Sequence, residues 1–103
     1  MTVYVNRFAR APAKDMTAID ISETLEVMSD TLNLNQIVVH SGSSINGGHY
    51  TTAFRCNDMW YLYNNISNDI DKIGTFSDLL TVDNGFYCKN CILLVYSEIN
   101  PTA

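Results

Sequence analysis

A predicted β-hairpin over residues 49–64 constrains the fold of this chain more than any other segment. Its two arms, 49–55 and 59–64, are rich in aromatic and β-branched residues, and the polar pair Asn57-Asp58 lies between them. Two strand-like arms joined by a short polar turn indicate antiparallel pairing. The rest of the chain is therefore expected to extend an antiparallel sheet.

Three further segments are predicted to be strands. Alternating apolar and polar residues favour a strand with one buried face, and a short continuous apolar run favours a fully buried strand. These patterns occur at residues 3–8, 32–40 and 92–96. Residues 9–18 contain Pro12 and several small residues, which is typical of a loop.

Two segments carry weaker signals. Residues 19–27 fit either a short strand at 19–21 followed by a turn, or a helical segment capped by Ser22. Residues 70–80 favour irregular structure with one short helix, for which Thr75 is the expected N-cap. Together the elements predict a mainly β (α+β) fold, an antiparallel sheet of about six strands with one or two short helices.

Length, charge and hydropathy limit the class of protein. The 103 residues suffice for one domain with a real core, so a single domain over residues 1–103 is predicted, with a C-terminal tail at 98–103. The formal net charge of −5 argues against nucleic acid as a partner, because phosphate binding needs a basic surface. No apolar run approaches membrane-spanning length and the first residues lack signal-peptide features, so no membrane association is expected.

The odd number of cysteines suggests a reducing compartment, the cytoplasm or the nucleus. Cys88 and Cys91 form a CxxC spacing, and Cys56 stands apart. Zinc would need further ligands at a matching spacing, and a redox CxxC normally opens a helix, whereas this one leads into the predicted last strand. We therefore expect free structural cysteines, with no metal and no cofactor.

His49 is the candidate for chemistry. It follows Gly47-Gly48 at the start of the hairpin, and two glycines let a loop adopt unusual backbone angles and let another chain pass close by. A histidine so placed can take a proton from a thiol if a third residue orients its imidazole. The same pattern also fits an ordinary surface histidine. His40, at the end of an apolar strand, is interpreted as structural.

The register of the hairpin selects the residue that would orient His49. With Cys56 opposite Met59, Asn64 lies diagonally across the strands on the face of His49. A register shifted by one residue makes Asn65 the direct neighbour instead. Either register places an asparagine roughly 5–8 Å from His49, backbone to backbone. Its amide oxygen can accept one imidazole proton and leave the other ring nitrogen to face a thiol.

Three blocks of the sequence resemble the ubiquitin-specific proteases. The segment 38–50, which ends in Gly-Gly-His-Tyr and is followed by Trp60 and Asn64-Asn65, is similar to the histidine box of that family. The block 3–8 is similar to a family strand that ends in Lys-Arg-Phe, with asparagine here in place of lysine, and 92–96 resembles the final strand. The blocks have the order and spacing of the family, and the resemblance covers about residues 3–97.

The resemblance implies the palm sub-domain of a papain-like cysteine protease that hydrolyses the isopeptide bond after the Gly-Gly terminus of ubiquitin. His49 would be the general base, Asn64 the residue that orients it, and Asn65 an auxiliary polar group. The residues expected to bind the ubiquitin tail are Gly47, Gly48 and Tyr50.

The resemblance does not extend to the nucleophilic cysteine of the family. The family cysteine lies in a Gly-Asn-Thr-Cys segment at the start of a helix, and nothing in this sequence matches it. Cys56 would stand roughly 20 Å from His49 at the other end of the same strand. The resemblance therefore implies the His/Asn part of a deubiquitinase, with ubiquitin or a ubiquitin-like protein as a partner and a separate Cys-bearing lobe as a second. The alternative is an inactive ubiquitin-tail-binding module or a relic fragment.

Overall fold

The computed structural model describes residues 1–9, 14–42, 47–64 and 67–98, and within them the fold is mainly β. Seven strands form one sheet in which the paired strands run antiparallel. The strands are β1 (Thr2–Tyr4), β2 (Thr24–Val27), β3 (Asp30–Ser41), β4 (His49–Cys56), β5 (Met59–Asn64), β6 (Asp69–Gly74) and β7 (Cys91–Glu98). The helices are α1 (Phe76–Thr81) and α2 (Phe86–Asn90), with a 3₁₀ turn at Val82–Asn84 between them. The predicted fold class is confirmed, with seven strands where about six were expected.

The long strand β3 organises the sheet. The strand order is β1-β7-β3-β4-β5-β6, and β2 also pairs with β3. β2 lies against the first part of β3, at Asp30–Asn33, and β4 against the last part, from Gln36 to Ser41. β7 covers the other edge of β3, so that β3 is hydrogen-bonded along both edges. The end of β3 and the start of β4 consequently lie side by side.

The predicted hairpin is confirmed as β4 and β5. Cys56 pairs with Met59, which is the first of the two registers considered from the sequence. Asn57 and Asp58 form the turn with φ values of 51° and 63°. Two consecutive residues with positive φ match the right-handed twist of the strands, and Asn and Asp tolerate this conformation better than other non-glycine residues.

Several expected boundaries differ from the structure. Within residues 19–27 there is neither a strand at 19–21 nor a helical segment after Ser22; the strand in that region is β2, Thr24–Val27. The predicted strand 3–8 is shorter, since β1 ends at Tyr4. Residues 69–74, expected to be irregular, form β6 at the edge of the sheet, where pairing with β5 outweighs the low strand propensity of aspartate.

The predicted helix after β6 is confirmed together with its cap. The Thr75 side chain accepts a hydrogen bond from the Asp78 backbone N–H at 3.2 Å, and the Asp78 carboxylate accepts one from the Thr75 N–H at 2.9 Å. This reciprocal pair is a capping box. It starts α1 where Phe76 packs on Trp60, with 6.5 Å between ring centroids.

One face of the sheet forms the core. Ile37 and Val39 of β3, Ala53 of β4 and Trp60 of β5 are at most 1 % exposed, and Leu79 of α1 is fully buried in the same cluster. Residues two apart on a strand share a face, so this core face continues along β4 through Thr51 to His49. The candidate base therefore stands at the end of the row that builds the core.

Candidate functional site

His49 is the first residue of β4 and is paired with Ser41, the last residue of β3. β5 returns antiparallel and ends beside it. The ladder pairs Thr52 with Tyr63, and extending it by one residue sets Asn64 opposite Thr51. His49 lies two positions beyond Thr51 on the same face, which gives roughly 8 Å between the His49 and Asn64 Cα atoms.

His49 and Asn64 are both half-buried. Thr51, which lies between them in the pairing, is 7 % exposed and anchors this corner to the core. The structure thus brings the two predicted residues next to each other on one face. Asn65, predicted as an auxiliary polar group, lies outside the described residues.

The base of the loop before His49 is a close contact between glycines. We call residues Ser41, Gly42, Gly47 and Gly48 the loop neck. Gly48 has φ of +86°, and a Cβ atom there would lie 1.6 Å from the Ser41 carbonyl oxygen. Gly42 has φ of +129°, and its Cβ would lie 2.9 Å from the Gly48 Cα. Both positions require glycine, because the two sides of the neck touch through their backbones.

Tyr50 points to the face opposite His49, as the next residue on a strand must. It is 47 % exposed, and its ring lies against His40 with 5.0 Å between centroids. Of the three residues expected to bind a ubiquitin tail, Gly47 and Gly48 lie in the loop neck. Tyr50 lies on the other side of the sheet from the base.

His40 is fully buried between two aromatic rings, Tyr50 and Phe8, the latter in an edge contact at 5.3 Å. Its Nε2 lies 2.9 Å from the Gly47 carbonyl oxygen. A carbonyl can only accept, so Nε2 carries the proton and donates it. The other nitrogen, Nδ1, is buried with no hydrogen-bond partner among the described residues. The sequence predicts only a structural role for His40 and gives no sign of its hydrogen bond to Gly47 in the loop neck.

Lys14 is a residue that sequence reasoning missed. It is 9 % exposed, and its ammonium donates to the carbonyl oxygens of His40 at 2.5 Å and Gly42 at 3.1 Å. It also donates to the side-chain oxygen of Asn90 at 2.5 Å. Burial, and secondly the nearby Arg7 guanidinium, lower the pKa of Lys14. No local sequence signal marks a lysine in an irregular segment as buried, because its partners come from β3 and α2.

Arg7 ties the N-terminal segment to the same end of the sheet. It is 2 % exposed, and its Nε donates to the Cys91 carbonyl at 2.7 Å. The two Nη atoms donate to the carbonyls of Asp15, Thr17 and Cys88 at 2.8–3.0 Å. The guanidinium therefore satisfies carbonyl groups where α2 ends and β7 begins, a structural task.

The three cysteines carry free thiols, and none is placed to be activated by His49. Cys56 is exposed at the far end of β4. Cys91 opens β7 opposite Val39, so the predicted passage of the CxxC into the last strand is confirmed. That register puts the Cys91 Cα roughly 12 Å from the His49 Cα, two strands away.

The pKa values of the buried thiols also argue against a nucleophilic role for them. Burial raises the pKa of the Cys91 thiol, an effect that Arg7 opposes, and burial likewise raises the pKa of Cys88. A nucleophilic cysteine needs a lowered pKa and a base within hydrogen-bond reach. Within the described parts of the chain no three His, Cys, Asp or Glu side chains gather as metal ligands either. Among the described residues, His49 and Asn64 share one face of the sheet, and none of the three thiols lies near them.

The fold is similar to that of a solved protein. No protein-family model matches the sequence. No curated protein matches it either. A chain described as an essential yeast splicing factor superposes with a TM-score of 0.68 at 19 % identity, over 96 % of this chain and 24 % of that one. This similarity concerns the fold, and this chain spans about a quarter of that protein. In the residues that the structure describes, no helix is long and apolar enough to cross a membrane.

Proposed function

We propose that this sheet supplies the base half of a cysteine deubiquitinase site of the ubiquitin-specific protease type. His49 is the general base, and Asn64 holds its imidazole. The observation that carries the proposal is the hairpin register, which sets Asn64 diagonally beside His49 on one half-buried face. A separate Cys-bearing lobe supplies the thiol.

The reaction assigns a distinct task to each nitrogen of His49. One ring nitrogen takes the proton of the incoming thiol, and the thiolate attacks the carbonyl carbon of the isopeptide bond after the ubiquitin Gly-Gly terminus. The proton then passes to the leaving lysine amine, and water hydrolyses the thioester. Asn64 accepts the proton on the other nitrogen and so selects the tautomer. As a neutral amide it stabilises the imidazolium less than a carboxylate would.

The ubiquitin tail is proposed to approach along the loop neck. Gly47 and Gly48 are exposed and carry no side chains, so an extended peptide can come within hydrogen-bond distance of their backbone. The formal charge of −5 suits a partner with a basic surface. Three free thiols suit a reducing compartment, the cytoplasm or the nucleus.

The oriented imidazole is tested by ¹⁵N NMR of the histidine side chains, of which the chain has two. We expect neutral His49 to occupy a single tautomer, and the Asn64→Ala variant to show a mixture of both. Asn33→Ala, on β3 away from the site, is the matched control and should leave the His49 signals unchanged. An unchanged His49 tautomer in Asn64→Ala would contradict the proposal.

The substrate class is tested by titrating the ¹⁵N-labelled chain with ubiquitin. Shifts should concentrate at Gly47–Tyr50 and be absent with ubiquitin that lacks its two C-terminal glycines. An electrophilic ubiquitin probe should leave this chain unlabelled; labelling at Cys56 would contradict the assignment of the thiol to another lobe. An unshifted spectrum at high ubiquitin concentration would count against ubiquitin as the partner.

A second candidate is a non-catalytic module that binds a ubiquitin-like tail. It is favoured by the absence of a thiol near His49 among the described residues, and by the fold similarity to a protein described as a splicing factor rather than as a hydrolase. The two candidates differ in their need for the imidazole. Tail binding that survives His49→Ala, with no hydrolysis on addition of a Cys-bearing lobe, would favour the binding module.

A further inference from the structure

We propose that Lys14 and His40 form a two-point clamp on the loop neck and thereby position His49. Both are positioning residues and neither touches a substrate in this scheme. In the proposed function, the clamp holds the general base His49 in a fixed position. Its existence, however, is a property of the chain that can be measured without ubiquitin or a thiol.

The first point of the clamp is the Lys14 ammonium. An ammonium has three donors, and Lys14 has three acceptors, the carbonyls of His40 and Gly42 and the Asn90 side chain. The carbonyls belong to the last residue but one of β3 and to the residue just beyond β3. Lys14 therefore holds the outgoing side of the neck and links it to the end of α2.

The second point is the His40 imidazole. Its Nε2–H donates to the Gly47 carbonyl at 2.9 Å, across the loop from the Lys14 contact at Gly42. The ring cannot swing away, because it is fully buried between Phe8 and Tyr50. His40 thus holds the returning side of the neck, two residues before His49.

The two points hold opposite sides of the same loop neck. Gly42 and Gly48 touch through their backbones, so movement of either side is passed to the other. Ser41 and His49 are paired directly at the top of the neck. With the Gly42 and Gly47 carbonyls both held, the His49 Cα has little freedom.

Burying polar groups at this site costs free energy of desolvation. One such group is the Lys14 ammonium, and another is the His40 Nδ1, which finds no hydrogen-bond partner among the described residues. Apolar side chains of similar size would avoid the desolvation penalty. Buried polar groups of this kind can instead specify a unique geometry. The geometry specified here is that of the neck.

The test uses backbone ¹⁵N relaxation of the intact chain. Lys14→Met keeps the aliphatic stem and removes the ammonium, and His40→Leu removes the imidazole donor. In both variants we expect order parameters to fall below about 0.6 at Gly42 and at Gly47–His49, while Met59–Asn64 stays at about 0.85. His40→Gln can still donate an amide N–H to Gly47 and should restore most of the order.

Asn90→Ala is the matched control. It removes the Lys14 contact with α2 but leaves both neck carbonyls bonded, so it should not loosen Gly47–His49. Neck amides that stay ordered in Lys14→Met and His40→Leu would overturn the proposal. Unfolding of both variants, or an equal loss of order throughout the sheet, would also overturn it, because the two residues would then support the whole fold. None of these outcomes bears on whether ubiquitin binds.

Discussion

The steric clash that a side chain at position 48 would cause gives the strongest quantitative prediction. Gly48→Ala places a methyl group 1.6 Å from the Ser41 carbonyl oxygen, where the closest real contacts are about 3.0 Å. The neck must open, which breaks hydrogen bonds of the Ser41–His49 pair at about 1 kcal/mol each. A non-glycine residue with φ of +86° also costs about 1–2 kcal/mol. Together these effects should lower the free energy of unfolding by about 3 kcal/mol.

Gly85→Ala separates the two contributions. Gly85 has a similar φ of +79°, but a Cβ there would meet only the Leu80 carbonyl oxygen, at an ordinary 3.8 Å. This variant therefore carries the backbone strain without the clash and should lose about 1 kcal/mol. The difference between the two variants isolates the clash from the cost of left-handed backbone.

The assay is urea unfolding followed by the fluorescence of Trp60, the single tryptophan, which is fully buried. With a slope of about 1.5 kcal/mol per molar urea, the midpoint should fall by about 2 M in Gly48→Ala and by less than about 1 M in Gly85→Ala. Equal midpoints in the two variants would contradict this prediction, since the clash would then cost nothing.

Three further predictions concern α1 and the thiols. Thr75→Ala should lower the free energy of unfolding by about 1 kcal/mol in the same urea assay, with Ser77→Ala, which does not cap, close to wild type. Hydrogen bonds from the Thr75 backbone and then its side chain lower the pKa of Asp78 below 3.8. Its stabilising contribution is therefore present above pH 3.8 and lost as pH falls through the folded-state pKa, and Asp78→Asn should flatten that slope in acid unfolding. A thiol reagent should modify Cys56 at the rate of a free peptide thiol and Cys91 only on unfolding; fast reaction of Cys91 would contradict its burial.

Local signals in the sequence were enough for the hairpin and the helix start. Asn57-Asp58 has the residues that a two-residue turn with positive φ favours, so both strands follow from a few neighbouring residues, while the sequence left two registers open. Thr75 similarly predicts the helix start as an N-cap residue, and the structure adds Asp78 as its capping-box partner. Either register puts an asparagine near His49, and the structure decides that this residue is Asn64.

Strands with weak local signals could not be derived in this way. β6 contains two aspartates and a lysine, residues that strands avoid, and it exists because β5 presents an open edge to it. β2 forms where Leu25 can face Leu32 across a tight turn, rather than at the more apolar segment 19–21. Pairing energy from a neighbouring strand outweighs intrinsic preference at both places.

Local patterns predict the sheet class, the central hairpin and an asparagine near His49, because period-two patterns and turn residues act over short separations. The contacts that hold the loop neck, by contrast, join parts of the chain that are far apart in sequence. Lys14 reaches His40 and Asn90 across 26 and 76 residues, separations over which no sequence pattern operates. The glycines of the neck were visible in the sequence. That Gly48 lies against Ser41 of the same chain depends on the packing of β3 beside β4.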